Sequence, residues 1–154
     1  MFRKCTPADT QRVLEYIGDE YVKCFYMYMD IIECGIEDEG LGLWISEEDG
    51  EIACVYYQYY DCLHIFSRKG YCDEDAVLQL VGEIDPKVIS SSEDIIDQLR
   101  KHFPEEDYML ELNHIITANK EMTGGAAEEI IVATREDIPE IARLVLKADI
   151  FSDV

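Results

Sequence analysis

The stretch LGLWISEEDGEIACVYYQYYDCLHIFS, from Leu41 to Ser67, holds three runs of strand-forming residues separated by short polar breaks. Leu41 to Ser46 and Glu51 to Tyr60 are rich in Ile, Val, Tyr and Trp, side chains that suit a pleated, half-buried surface. Between them a polar turn ends in Asp49-Gly50. Gly tolerates the positive φ of a tight hairpin turn, so this dipeptide predicts two paired antiparallel strands. A third strand, Cys62 to Ser67, follows almost at once. The middle of the chain is therefore predicted to be a sheet.

Outward from that sheet the period changes. Upstream, a helix is predicted near residues 7 to 18. A second runs from about Glu20 to Cys34, where Tyr21, Cys24, Phe25, Tyr28, Ile31 and Ile32 recur at three- and four-residue spacing. Gly35 stops it. Downstream, Ala76, Val77, Leu80, Val81 and Ile84 mark a helix face, and Asp73, Glu74 and Asp75 place negative charge at the positive end of its dipole. Pro86 ends that helix. KVISSSEDIIDQLRKHF, residues 87 to 103, reads as a short strand, a Ser-rich cap and a helix carrying Ile95, Ile96, Leu99 and Phe103. YMLELNHII, residues 108 to 116, alternates well enough to predict a further strand. TANKEMTGGAAE, residues 117 to 128, is polar, Gly-rich and without period, and reads as a linker.

After the linker the chain repeats its own beginning. FRKCTPADTQRVLEYI opens the protein at Phe2, and EIIVATREDIPEIARLV runs from Glu129 to Val145. A shift of 128 positions sets Thr134 on Thr6, Asp137 on Asp9, Ile141 on Val13, Leu144 on Tyr16 and Val145 on Ile17. Each copy predicts a strand entering a helix, with Thr and the Asp three residues on forming a variant of the capping box.

Bulk properties narrow the class. A chain of 154 residues holds one domain of ordinary size, and 48% hydrophobic content with ten Tyr and five Phe is globular. The longest apolar run, Ile52 to Tyr57, is too short to span a bilayer, and no signal-peptide pattern opens the chain, so a cytoplasmic protein is expected. Thirty-four acidic residues against 13 basic ones give a net charge of −21, which repels nucleic acid and anionic lipid alike. Cys5, Cys24, Cys34, Cys54, Cys62 and Cys72 form no C-x-x-C pair, and no His stands at zinc-ligand spacing. They are expected as reduced thiols, several of them small core residues, and no metal site is expected.

The order of elements, with the two openings, resembles the GCN5-related N-acetyltransferase (GNAT) superfamily, and in particular its tandem members. The resemblance implies an α/β (α+β) fold with a GNAT-like mixed central sheet and helices on both faces. It also implies acetyl-CoA as cofactor of the parent enzyme and acetyl transfer to an amine. On this reading residues 1–116 form a GNAT-like N-terminal domain, 117–128 the linker, and 129–154 the first strand and helix of a second, truncated GNAT domain. The missing C-terminal GNAT domain is then the expected partner, with a homodimer possible.

The family holds the cofactor's pyrophosphate on a Gln/Arg-x-x-Gly-x-Gly/Ala loop between the fourth strand and the third helix, using backbone N–H groups and the helix N-terminus. Here the matching stretch is SRKGYCDED, Ser67 to Asp75, with one Gly and unsuitable spacing. Asp73, Glu74 and Asp75 stand where the pyrophosphate would dock. A like charge at ~4 Å costs on the order of 1 kcal/mol even in water-like dielectric. No residue of this chain is therefore assigned a catalytic or cofactor-binding role, and tight acetyl-CoA binding is not expected. Three functions stay open: a non-catalytic N-terminal domain of an acetyltransferase, a free-standing acidic interaction module, or a divergent acetyltransferase active in its own right.

Other residues are weaker candidates. His64 stands two residues from Cys62 in a strand, on the same face, with no third group in sequence to orient a Cys/His nucleophile pair. His102, His114 and Gly124-Gly125-Ala126 sit in no catalytic or phosphate-binding pattern. The Tyr-rich strands around VYYQYY, residues 55 to 60, are the expected contact surface for the partner domain.

Overall fold

The computed structural model describes residues 1–113, 134–135 and 138–145. The chain divides into two compact units, Met1–Ile115 and Ile116–Val154. In the first, five strands, β1 (Phe2–Lys4), β2 (Leu41–Glu48), β3 (Glu51–Tyr59), β4 (Cys62–Phe66) and β5 (Val88–Ser90), form one sheet in that spatial order. The first three pairings are antiparallel and β4 to β5 is parallel, so the sheet is mixed. Helices α1 (Thr10–Ile17), α2 (Phe25–Cys34), α3 (Glu74–Ile84) and α4 (Glu93–Arg100) complete the unit.

Strand alternation sends side chains to opposite faces, and the sheet carries a core on each. One buries Val13 and Ile17 of α1 and Met27 and Ile31 of α2 with Leu43, Ile45, Val55 and Tyr57. The other buries Val77, Leu80, Ile95 and Leu99 of α3 and α4 with Tyr56, Leu63 and Ile65. The expected α/β arrangement, a mixed sheet with helices on both faces, is thus present. The hairpin turns at Asp49 (φ 52°) and Gly50 (φ 85°), two successive positive φ values as a tight hairpin needs. At the chain start, the Asp9 carboxylate accepts from the Thr6 N–H (2.9 Å), the Thr6 hydroxyl (3.0 Å) and both arms of the Arg3 fork. The Arg3 fork and Thr6 together hold the Asp9 carboxyl well below the usual carboxylate range.

Three expectations change. The helix predicted from Glu20 is a 3₁₀ segment over Gly18–Cys24, and α2 begins only at Phe25. Gly18 (φ 50°) and Cys24 (φ −133°, ψ 42°) break the α-helix on either side. No strand forms over residues 108–113 of the predicted 108–116: Met109 and Leu112 are 80% and 70% exposed, and a strand exists only by pairing. The Tyr run is mostly core, with Tyr56 and Tyr57 fully buried, so it is not the contact surface expected of it. Tyr60 alone of the four tyrosines is well exposed, at the turn before β4.

In the second unit the helix α5 spans Ile138–Val145. The 128-position shift that aligns the two openings places these residues on α1. Asp137, the predicted strand at its start and the 117–128 linker lie outside the described residues. Among the described residues no helix is long and apolar enough to cross a membrane.

Candidate functional site

The resemblance points to the connection from β4 to α3, residues 67–73. β4 and β5 run parallel only as far as His64 beside Ser90. Beyond that pair the Ser91 hydroxyl donates to the Ile65 carbonyl at 2.8 Å, bridging the two strands where they part. A cavity of about 280 Å³ lies at this end, lined among others by Phe66, Ser67, Arg68, Lys69, Ser92 and Asp94.

The loop is fixed by two tyrosines, Tyr16 and Tyr56, neither of which the sequence places at this loop. The register slips between Ser46 and Glu47, which pair with Cys54 and Ile52 and leave Ala53 as a bulge. The Ala53 carbonyl accepts from the Tyr16 hydroxyl at 2.8 Å, and the same hydroxyl oxygen accepts the Arg68 N–H at 3.1 Å. From the other face of the sheet, the Tyr56 hydroxyl pairs with Ser46 Oγ at 3.0 Å and accepts the Asp73 N–H at 3.2 Å. Tyr16 therefore holds the start of the loop and Tyr56 its end. Burial raises the pKa of both phenols, so they stay neutral. The signal available in sequence was general: a buried Tyr hydroxyl needs a partner.

Two further donors of the loop also turn inward. Lys69 N–H reaches Ser67 Oγ at 3.2 Å, and Gly70 N–H reaches the Ser67 carbonyl at 3.2 Å. Asp73 caps α3 by accepting the Ala76 N–H at 3.2 Å. Gly70 takes φ 71°, its carbonyl accepts from Gln98 at 2.9 Å, and a Cβ there would stand 3.2 Å from the Asp94 carboxylate. So the N–H groups of Arg68, Lys69, Gly70, Asp73 and Ala76 are all bound within the protein.

The cations beside the loop are bound as well. The Arg68 guanidinium contacts Asp19 and, at 3.8 Å, Glu20. Lys69 stands 3.5 Å from Glu48, which also accepts from the Tyr71 hydroxyl at 2.7 Å. At the start of α3, Glu74 accepts from Lys101 at 2.8 Å and lies 2.6 Å from His102, and these contacts hold its carboxyl below the usual range. Of the cluster Asp73-Glu74-Asp75, Asp73 caps the start of α3 and Glu74 pairs with Lys101 and His102.

The Cys62 and His64 pair resolves differently. His64 stacks on Tyr57 (centroids 6.5 Å apart, planes at 26°), and Tyr57 donates to the Gly35 carbonyl at 2.9 Å. Asp30 of α2 is the charged neighbour that sequence spacing could not reveal. Burial lowers the His64 pKa, with Asp30 opposing, and pushes the Cys62 thiol up to about 11. A neutral imidazole beside a protonated thiol is not an activated nucleophile pair. Burial likewise raises Cys54 to about 12 and Cys72 to about 11. His102 is the partner of Glu74, while His114 and Gly124-Gly125-Ala126 lie outside the described residues. Among the described residues no three His, Cys, Asp or Glu side chains are grouped as metal ligands.

No family model and no curated protein matches the chain. Among solved structures it is similar to the ribosomal-protein-alanine N-acetyltransferase of Brucella melitensis biovar Abortus 2308. That likeness has 10% identity, covers 77% of this chain and 98% of the other, and has a TM-score of 0.44. It is also similar to a predicted acetyltransferase with acetyl-CoA from Clostridium acetobutylicum (17% identity, 73% and 95% covered, TM-score 0.40). A third likeness is to an aminoglycoside acetyltransferase from an uncultured soil metagenomic sample, in complex with trehalose (13% identity, 78% and 96% covered, TM-score 0.41). These are general likenesses and assign no residue.

Proposed function

We propose that this chain is an acetyltransferase-like module that does not itself hold acetyl-CoA, and that it works by packing against a catalytic acetyltransferase domain. The observation that carries the reading is the loop at residues 67–73. Anion sites at a helix start work because backbone N–H groups point outward with nothing to bind. Here the N–H groups of Arg68, Lys69, Gly70 and Asp73 in the loop and of Ala76 in the first helical turn are bound within the protein, and a carboxylate caps the helix. The catalytic partner is of the same family as the module, since Glu129–Val145 repeats the opening of this chain in sequence and its described part is helical, as α1 is.

Calorimetry of the full chain with acetyl-CoA at low salt tests it. The expected result is no binding tighter than about 1 mM, a free energy weaker than about −4 kcal/mol. A micromolar Kd would overturn the reading and make the chain a divergent acetyltransferase. A second reading, an acidic module with a basic partner, is favoured by the net charge of −21. It differs in making the partner's binding strongly salt-dependent.

A further inference from the structure

Helix α2, FYMYMDIIEC, is apolar on both sides, although only Met27 and Ile31 are fully buried. Opposite them Phe25, Met29 and Ile32 follow one another at i, i+4 and i+7, a second helical stripe that faces away from the core. Phe25 is 39% and Ile32 49% exposed, and Tyr26, 68% exposed, flanks the stripe. The exposed Tyr21 of the preceding 3₁₀ segment extends the surface, its ring 5.4 Å from that of Tyr28. A helix that is hydrophobic all round is ordinarily covered on all sides. This one is covered on one.

The charges around it state what kind of cover fits. Between Gly18 and Gly40 there are seven acidic residues and one basic residue, Lys23, which is bound to Glu20 at 2.8 Å. Among the described residues Glu33, Glu37, Asp38 and Glu39 enter no ion pair. They lie on α2 or just past its C-terminal end, where the helix dipole adds further negative charge. A second copy of the chain would bring the same carboxylates to the contact, and an anionic membrane would be repelled by them. A segment with apolar side chains flanked by Lys and Arg meets both features, with cations also able to sit on the exposed aromatic rings.

We infer that the outer face of α2, built on Phe25, Met29 and Ile32 and edged by Glu33, Glu37 and Asp38, is a docking surface for a basic amphipathic segment of a partner polypeptide. The surface is separate from the loop at residues 67–73. Its test uses no acetyl-CoA, so it can fail while the cofactor reading stands, and the reverse.

The probe is a fluorescent Leu/Lys helical peptide of about 18 residues, long enough to form a helix on binding. It is titrated with the full 154-residue chain at near-physiological salt. Binding is expected, and the paired substitution Phe25→Ser with Ile32→Ser is expected to weaken it by about tenfold or more while circular dichroism and Tm stay put. Glu33→Gln with Glu37→Gln is expected to weaken it too, and to flatten its salt dependence. Three results overturn the inference. They are absence of binding, equal affinity of the serine pair (which would mean that net charge alone captures the peptide), and a dimer in sedimentation that the serine pair dissociates.

Discussion

The loop at residues 67–73 and the outer face of α2 solve opposite halves of the same problem. In the loop, tyrosine hydroxyls, a serine and an aspartate take up the N–H groups of Arg68, Lys69, Asp73 and Ala76. On α2, where no ligand is expected, apolar side chains remain uncovered. Polar groups can be satisfied singly by one well-placed atom, whereas an apolar face is satisfied only by area. A site can therefore be closed by a few substitutions. A bare helix face needs another surface.

The largest test of this contrast is at Tyr56. Its hydroxyl joins Ser46 of β2 to the Asp73 N–H at the start of α3, and the ring is fully buried. Tyr56→Phe keeps the ring and removes the shared partner of one buried and one half-buried group, which costs about 1–3 kcal/mol. In a domain of this size each kcal/mol lowers Tm by roughly 4 °C or more. Thermal or urea unfolding reads the loss directly, and faster proteolysis at Arg68 or Lys69 would show that the loop is what loosened. An unchanged Tm would mean that the hydroxyl does not pin the loop.

Much of this architecture was legible in sequence, for identifiable reasons. Asp49-Gly50 declares the hairpin because its backbone conformation excludes most other residues. The cluster Asp73-Glu74-Asp75 declares a helix start, and Asp73 caps it. Tertiary partners are what escaped. Nothing local says that Tyr16 will meet a bulge carbonyl on β3 and then Arg68, 52 positions away. Alternation over residues 108–116 predicts a strand, but a strand is made by its neighbour, and residues 108–113 have none. The Tyr run was read as a surface because aromatics serve both cores and interfaces. Apolar spacing in Tyr21, Cys24 and Phe25 fits both 3₁₀ and α geometry, which hid the break before α2.

A smaller effect separates charge from hydrogen bonding within the proposed reading of the loop. Asp73→Ala removes the cap on the Ala76 N–H and should cost about 0.5–2 kcal/mol by chemical denaturation. It also takes one negative charge from the start of α3. Acetyl-CoA should still fail to bind in calorimetry, because the N–H groups of Arg68, Lys69, Gly70 and Asp73 keep their internal partners. If binding appears in this variant alone, one carboxylate was the whole barrier, and the site is closed by charge alone.

The smallest expected effect is on α2, and its smallness is what makes it informative. Ile32 is 49% exposed, so Ile32→Ser removes about half the buried area that a core isoleucine would and should cost about 1 kcal/mol or less. A core isoleucine such as Ile31, one position earlier and 2% exposed, should cost about 2–5 kcal/mol when cut to Ala. Urea titrations of the two variants side by side put a number on how unequal the helix's two apolar faces are in the free protein. A large loss at Ile32 would mean that this face is already packed in solution, by a second copy or by another part of the chain, and would leave no uncovered stripe for a partner to fill.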